Sequence, residues 1–247
     1  LKKVSLSTRI YFGLVVILAL LAGICVLLPQ GSMTQAQNLP APGSVLALVN
    51  AAVMLVFYGG LGFLGLYLSR KLGFADIWDP KVSSRQRFLV PLIAGTGTGI
   101  FFIVADLIMS RFHTFGPLPH PPFPTSLVAS AVAGIGEELI FRLFFISFWV
   151  WLISWVLLKN KWQNLVFWVV SVMSAIAFAF GHLPSIMMLY GLKTINEIPP
   201  ALLGEVILLN GMVSIACAYY FRKYGFLAAV GIHFWTDIVW HVINGLF

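Results

Sequence analysis

The chain has 247 residues, 60% of them hydrophobic and only 9% charged, with a mean hydropathy of +0.96. Soluble domains carry about 25% charged residues, so this balance excludes an ordinary soluble fold and leaves no polar stretch large enough for a separate soluble domain. A net charge of +7 raises the question of a nucleic-acid partner. The Lys and Arg residues, however, are scattered at the ends of apolar segments instead of gathered on one face, so they read as topology signals and no nucleic acid is expected. The expected fold is all-α: one polytopic transmembrane helix bundle over residues 1–247. At roughly 20 apolar residues per span it has about seven spans, with an eighth possible by length.

Lys2, Lys3 and Arg9 precede the apolar run Ile10–Leu28. That run is too long for a signal-peptide core and is followed by no convincing small-residue cleavage site. The uncharged stretch Pro29–Ser44, rich in Gln, Pro, Gly and Ser, reads as a non-cytoplasmic loop. A second span covers Val45–Leu68, after which Arg70, Lys71, Lys81, Arg85 and Arg87 crowd the connection to a Gly-rich third span, Phe88–Met109. A loop dense in proline follows, with Pro117, Pro119, Pro121, Pro122 and Pro124 stiffening it.

The fourth apolar segment, Thr125–Leu158, has 34 residues, and as a helix it is about 51 Å long at 1.5 Å per residue. It must therefore tilt, protrude or break, next to its charged residues or at the end containing Trp149, Trp151 and Trp155. A fifth span runs from Asn164 to His182 and continues through a kink at Pro184 toward Leu192. A sixth follows Pro199 and Pro200 to Phe221, and a seventh covers Gly225–Phe247. Cys25 and Cys217 fall inside spans and read as packing residues, not a disulfide.

The basic residues support this layout. Twelve of the 15 Lys and Arg lie before the first span or in the second, fourth and sixth connections, two (Arg111 and Lys193) lie on the opposite side, and Arg142 is intramembrane. The positive-inside rule then places the N-terminus in the cytoplasm and the C-terminus outside. A multi-pass protein of the prokaryotic plasma membrane is expected.

Charge inside the membrane is costly and marks function. The motif Gly134-Ile135-Gly136-Glu137-Glu138-Leu139-Ile140-Phe141-Arg142 sets three charged side chains within an apolar run. Glu138 and Arg142 stand at i and i+4, so they meet on one helix face and neutralise each other. Glu137 is rotated about 100° away and needs other partners. In the fifth span Phe178 and His182 lie one turn apart; in the seventh, His233 and Asp237 do the same, so the carboxylate can orient the imidazole or both can ligate a metal. Asp106 and Glu205 read as residues near span ends, His113 and His120 as loop residues, and His241 as a residue near the C-terminus. Counted from the outer span ends, Glu137, His182, His233 and Asp237 sit at similar depth, so three helices can converge on one layer if they are neighbours.

These three motifs, Glu137-Glu138 with Arg142, Phe178 with His182, and His233 with Asp237, resemble those of the CPBP family in order and spacing. That family, also called Abi, includes type II CAAX prenyl endopeptidases and bacteriocin-processing or bacteriocin-immunity proteins. The resemblance covers about residues 125–240, and Tyr224-Gly225-Phe226 is similar to the family's lead into its last motif. It implies an intramembrane endopeptidase with Glu137 as general base, His182 holding the attacking water, and Glu138 and Arg142 supporting Glu137. His233 and the residue four later would stabilise the oxyanion. Here that residue is Asp237 where Asn is commoner, and an ionised Asp accepts but does not donate, so the oxyanion role passes to His233 with Asp237 orienting it. Phe178 and Asn210 are further supporting residues. A Zn²⁺ held through His182 and His233 is the alternative chemistry, although the His-Glu-x-x-His signature is absent. Expected partners are membrane lipid and a peptide or prenylated protein. The competing functions are a proton- or ion-coupled transporter using the same acids and histidines, and a non-catalytic immunity or scaffold protein of the same fold.

Overall fold

The computed structural model describes residues 4–31 and 41–247. Lys2, Lys3 and most of the Pro29–Ser44 connection lie outside the described residues. Among those described there is no strand, and seven helices are long and apolar enough to cross a membrane: α1 (Leu6–Leu27), α2 (Gly43–Lys71), α3 (Arg85–Phe112), α4 (Thr125–Leu157), α5 (Gln163–Tyr190), α6 (Pro200–Tyr224) and α7 (Phe226–Leu246). The outer faces are apolar, with Leu48 and Val56 each 72% exposed. In water such residues would be a liability; facing lipid they cost nothing.

Ser5 caps α1, its hydroxyl accepting the Thr8 amide at 3.3 Å. Both places expected to be irregular in the long fourth helix are so. The turns of α4 widen to π-type over Leu139–Ile146, directly after Glu138, and again over Trp151–Leu157. Such widened turns recur at functional sites because they re-aim the side chains beyond them. The kink in α5 falls where Pro184 removes a backbone donor: regular helix covers Gln163–Gly181 and Leu183–Tyr190, with His182 at the joint.

At the centre, α7 packs on α3, α4 and α6, while α4 also packs on α1 and α2, and α5 on α6. Glycines allow the closest approaches, as is general for helices packed in lipid. On α3, a Cβ at Gly95 would stand 2.6 Å from the Ile232 carbonyl oxygen, and one at Gly99 would stand 2.8 Å from that of Thr236. Both obstacles are backbone atoms of α7 flanking His233, and the Thr236 hydroxyl also donates to Gly95 O at 3.2 Å. Gly95→Val is therefore expected to push α7 outward and cost about 1–3 kcal/mol or more. A lowered melting temperature in detergent checks this; an unchanged one would show that α7 is not seated by this contact.

Candidate active site

The Glu137-Glu138 pair sits at the end of the regular part of α4, where neighbouring side chains point to different faces. Glu138 turns inward and is fully buried, as is Arg142 one turn on; their closest approach is 3.1 Å. That contact is off the hydrogen-bonding direction, and the three guanidinium nitrogens find no aligned acceptor among the described residues. The pair is held by charge, and by the Phe178 ring, whose centroid lies 4.8 Å from the guanidinium carbon. The other oxygen of Glu138 lies 2.8 Å from His233 Nδ1. Glu138 thus bridges Arg142 and His233, a partner the i, i+4 spacing did not reveal.

Glu137 turns the other way, into a cavity of about 430 Å³ that it shares with His182, Asn210, His233 and Asp237. Its Oε2 is 3.6 Å from His233 Nε2, and Asp237 Oδ2 is 3.8 Å from the same nitrogen. The orienting contact on His233 therefore comes from Glu138, not from Asp237 as the helical spacing suggested. Glu138 lies within hydrogen-bond range of Nδ1 at 2.8 Å, whereas Asp237 faces the other ring nitrogen at 3.8 Å, beyond that range. His182 Nδ1 donates to the Phe178 carbonyl at 2.8 Å, which leaves Nε2 with its lone pair. The Phe178 ring packs against both imidazoles, with its centroid 4.8 Å from that of His182 and 5.8 Å from that of His233. Asn210 lines the cavity while its amide donates to Val206 O, one turn back, at 2.9 Å.

Both imidazoles have Nδ1 occupied by an oxygen and Nε2 available, a pattern that also suits metal ligation. Among the described residues, however, no three His, Cys, Asp or Glu side chains lie close enough together to hold an ion. The donor set does not fit a zinc site, and no chemical step below passes through a metal.

The connection 113–124 covers the cavity, to which it contributes Leu118, Pro119 and Pro121. It is tied down by polar groups of the spans and of the connection itself. Asp106 accepts the Leu118 amide at 3.0 Å, and His113 meets Glu205 at 2.9 Å with both side chains fully buried. The Asn244 amide donates to His120 Nε2 at 3.0 Å, so His120 Nδ1 carries the proton shared with His241 Nδ1 at 3.1 Å. His241 itself lines the cavity. The signal for it was present, since His233, Asp237 and His241 repeat at four-residue spacing on one face of α7.

Burial holds the His120 imidazole below the ordinary histidine range, opposed in part by the Asp106 carboxylate. A group kept neutral in the closed connection stabilises that state above the ordinary value of about 6.5, and the contribution is lost as pH falls below it, because the released state binds the extra proton. Protease nicking within residues 113–124 is therefore expected to accelerate between pH 7.5 and pH 5, and His120→Asn should flatten that dependence. Equal nicking at both pH values would show that this clamp does not hold the connection.

The type II CAAX prenyl endopeptidase Rce1-like family matches residues 119–239, the stretch from the covering connection through α4, α5 and α6 to the site residues of α7. The match covers 121 of the 247 residues, just under half, and that stretch is similar to the Rce1-like family. No curated protein and no solved structure matches the chain. The family is one of CAAX-type intramembrane proteases, and together with the seven apolar helices it makes this a multi-pass integral membrane protein. The Rce1-like match begins at Pro119, inside the covering connection, so residues 119–124 of that connection fall within it together with Glu137, His182 and His233. Helices α1–α3 lie outside it and buttress it, through α1 and α2 on α4 and α3 on α7.

Proposed function

We propose that the protein is an intramembrane endopeptidase that hydrolyses a peptide bond of a membrane-associated polypeptide, prenylated or not, with water activated by Glu137. The observation that carries this reading is the division of labour between adjacent carboxylates: Glu138 is fully buried against Arg142 and His233, while Glu137 faces the cavity with a third of its side chain exposed.

In this reading a water between Glu137 and His182 gives one hydrogen bond to the carboxylate and one to the His182 Nε2 lone pair. As its oxygen attacks the peptide carbonyl carbon, the proton passes to Glu137. The oxyanion is stabilised by donation from His233 Nε2, in a ring whose Nδ1 meets Glu138 at 2.8 Å, whose Nε2 faces Glu137 and Asp237 beyond hydrogen-bond range, and which donates from both nitrogens when protonated. Collapse breaks the C–N bond, and the proton held by Glu137 passes to the leaving amine. Asp237, 3.8 Å from Nε2 on the same helix, complements the charge on His233 and does not itself donate.

The test is cleavage by purified protein of a peptide panel that includes a prenylated CAAX peptide, read by mass spectrometry against the Glu137→Gln variant. Variant-sensitive cleavage is expected, and it should persist after exhaustive chelation. Loss of activity on chelation with recovery on adding zinc would replace the metal-free mechanism, and absence of cleavage of every peptide would remove the protease reading.

A further inference from the structure

We infer that the cavity lies toward the non-cytoplasmic side of the membrane, beneath the 113–124 connection, so that its substrate is a polypeptide segment presented from outside the cytoplasm. The word substrate rests on the protease reading; the sidedness does not.

The helix ends form two faces. On one, the start of α1 meets the connection after α2 through Trp78 N donating to Ser7 Oγ at 3.0 Å, and the start of α5 meets it through Gln163 donating to Leu72 O at 2.7 Å. The end of α6 joins them where Arg222 donates to Asn164 at 2.7 Å. On the other face, Thr125 donates to Pro29 O at 2.6 Å and the 113–124 connection meets the ends of α5 and α7, through Phe115 on Tyr190 and His120 on Asn244.

Of the 15 Lys and Arg, Lys2 and Lys3 precede the described residues and Arg142 lies inside the bundle. The remaining twelve divide ten to two: only Arg111 and Lys193 belong to the face of the 113–124 connection. The cations of the crowded face also lie over aromatic rings, Arg87 on Trp78 at 4.1 Å, Arg222 on Phe167 at 4.6 Å and Lys71 on Trp155 at 5.4 Å. This is the arrangement of basic and aromatic anchors at a membrane–water boundary. With connections this short, a ten-to-two division of Lys and Arg makes the crowded face cytoplasmic.

The cavity belongs to the other face. It is lined by Leu118, Pro119 and Pro121 of the 113–124 connection, by Ser185 and Leu189 toward the end of α5, and by His241 near the end of α7. No residue of the connections 72–84 or 158–162 lines it. A lipid-modified tail made in the cytoplasm would meet the closed end of the bundle. An exported peptide, or the outer segment of a membrane-anchored protein, would meet the end at which the cavity lies, beneath the 113–124 connection.

The experiment is cysteine labelling in spheroplasts of a bacterial host by a membrane-impermeant maleimide, in a Cys25→Ala background with Cys217 buried. Ser185→Cys in the cavity and Asn196→Cys in the connection after α5 are expected to label before the membrane is disrupted, and Ser84→Cys only afterwards. Labelling of Ser84→Cys in intact spheroplasts, or failure of Asn196→Cys or Ser185→Cys to label there, overturns the inference. None of these readouts needs cleavage. If labelling follows the expected pattern and no peptide is cut, the protease reading falls and the sidedness stands.

Discussion

Glu137→Gln is expected to lower kcat for peptide cleavage by about 10²–10⁴-fold, the usual contribution of a positioned general base, with KM changed only a few-fold. The substitution keeps shape and hydrogen-bonding capacity but removes the group that takes the proton from water. Because Glu137 is partly exposed in the cavity and its nearest basic atom, His233 Nε2, stands at 3.6 Å, beyond hydrogen-bond range, the fold should not depend on it. Thermal unfolding in detergent should match wild type within about 0.5 kcal/mol, as for substitutions away from packed features. Retention of full activity would move the base to another residue. A large loss of stability would show that Glu137 is a structural acid and that the carboxylate roles are reversed.

Glu138→Gln is expected to act the other way, on the fold first. It removes the charge facing Arg142 at 3.1 Å while that guanidinium stays fully buried with no aligned hydrogen-bond acceptor among the described residues. Removing one partner of a buried pair costs about 3–5 kcal/mol, more than replacing both. The double variant Glu138→Gln/Arg142→Met should therefore be more stable than Glu138→Gln alone. Its activity should stay low, because the carboxylate that meets His233 Nδ1 at 2.8 Å is still missing. Unfolding curves and single-turnover rates on the same three proteins separate the two effects. Recovery of activity with stability would mean that Glu138 serves only Arg142.

This separation of roles shows where reading the chain by itself stops. Hydropathy along the chain determined seven spans, because crossing lipid constrains about 20 consecutive residues at a time, and the irregular turns of α4 follow from a segment of 33 residues. The i, i+4 spacing likewise determined that Glu138 and Arg142 meet, and that Glu137 faces elsewhere, since both are properties of one helix. Contacts between helices are different. Glu138 and His233 are 95 positions apart, and nothing local to either says that this carboxylate, not Asp237, meets the Nδ1 side of the ring. That was decided by α4 and α7 packing side by side, with α7 seated against Gly95 and Gly99 of α3. The same holds for His113 with Glu205 and His120 with His241, 92 and 121 positions apart, which turn a proline-rich loop into the cover of the cavity. Local periodicity assigns a side chain to a face of its own helix; only the packing of helices decides what that face meets.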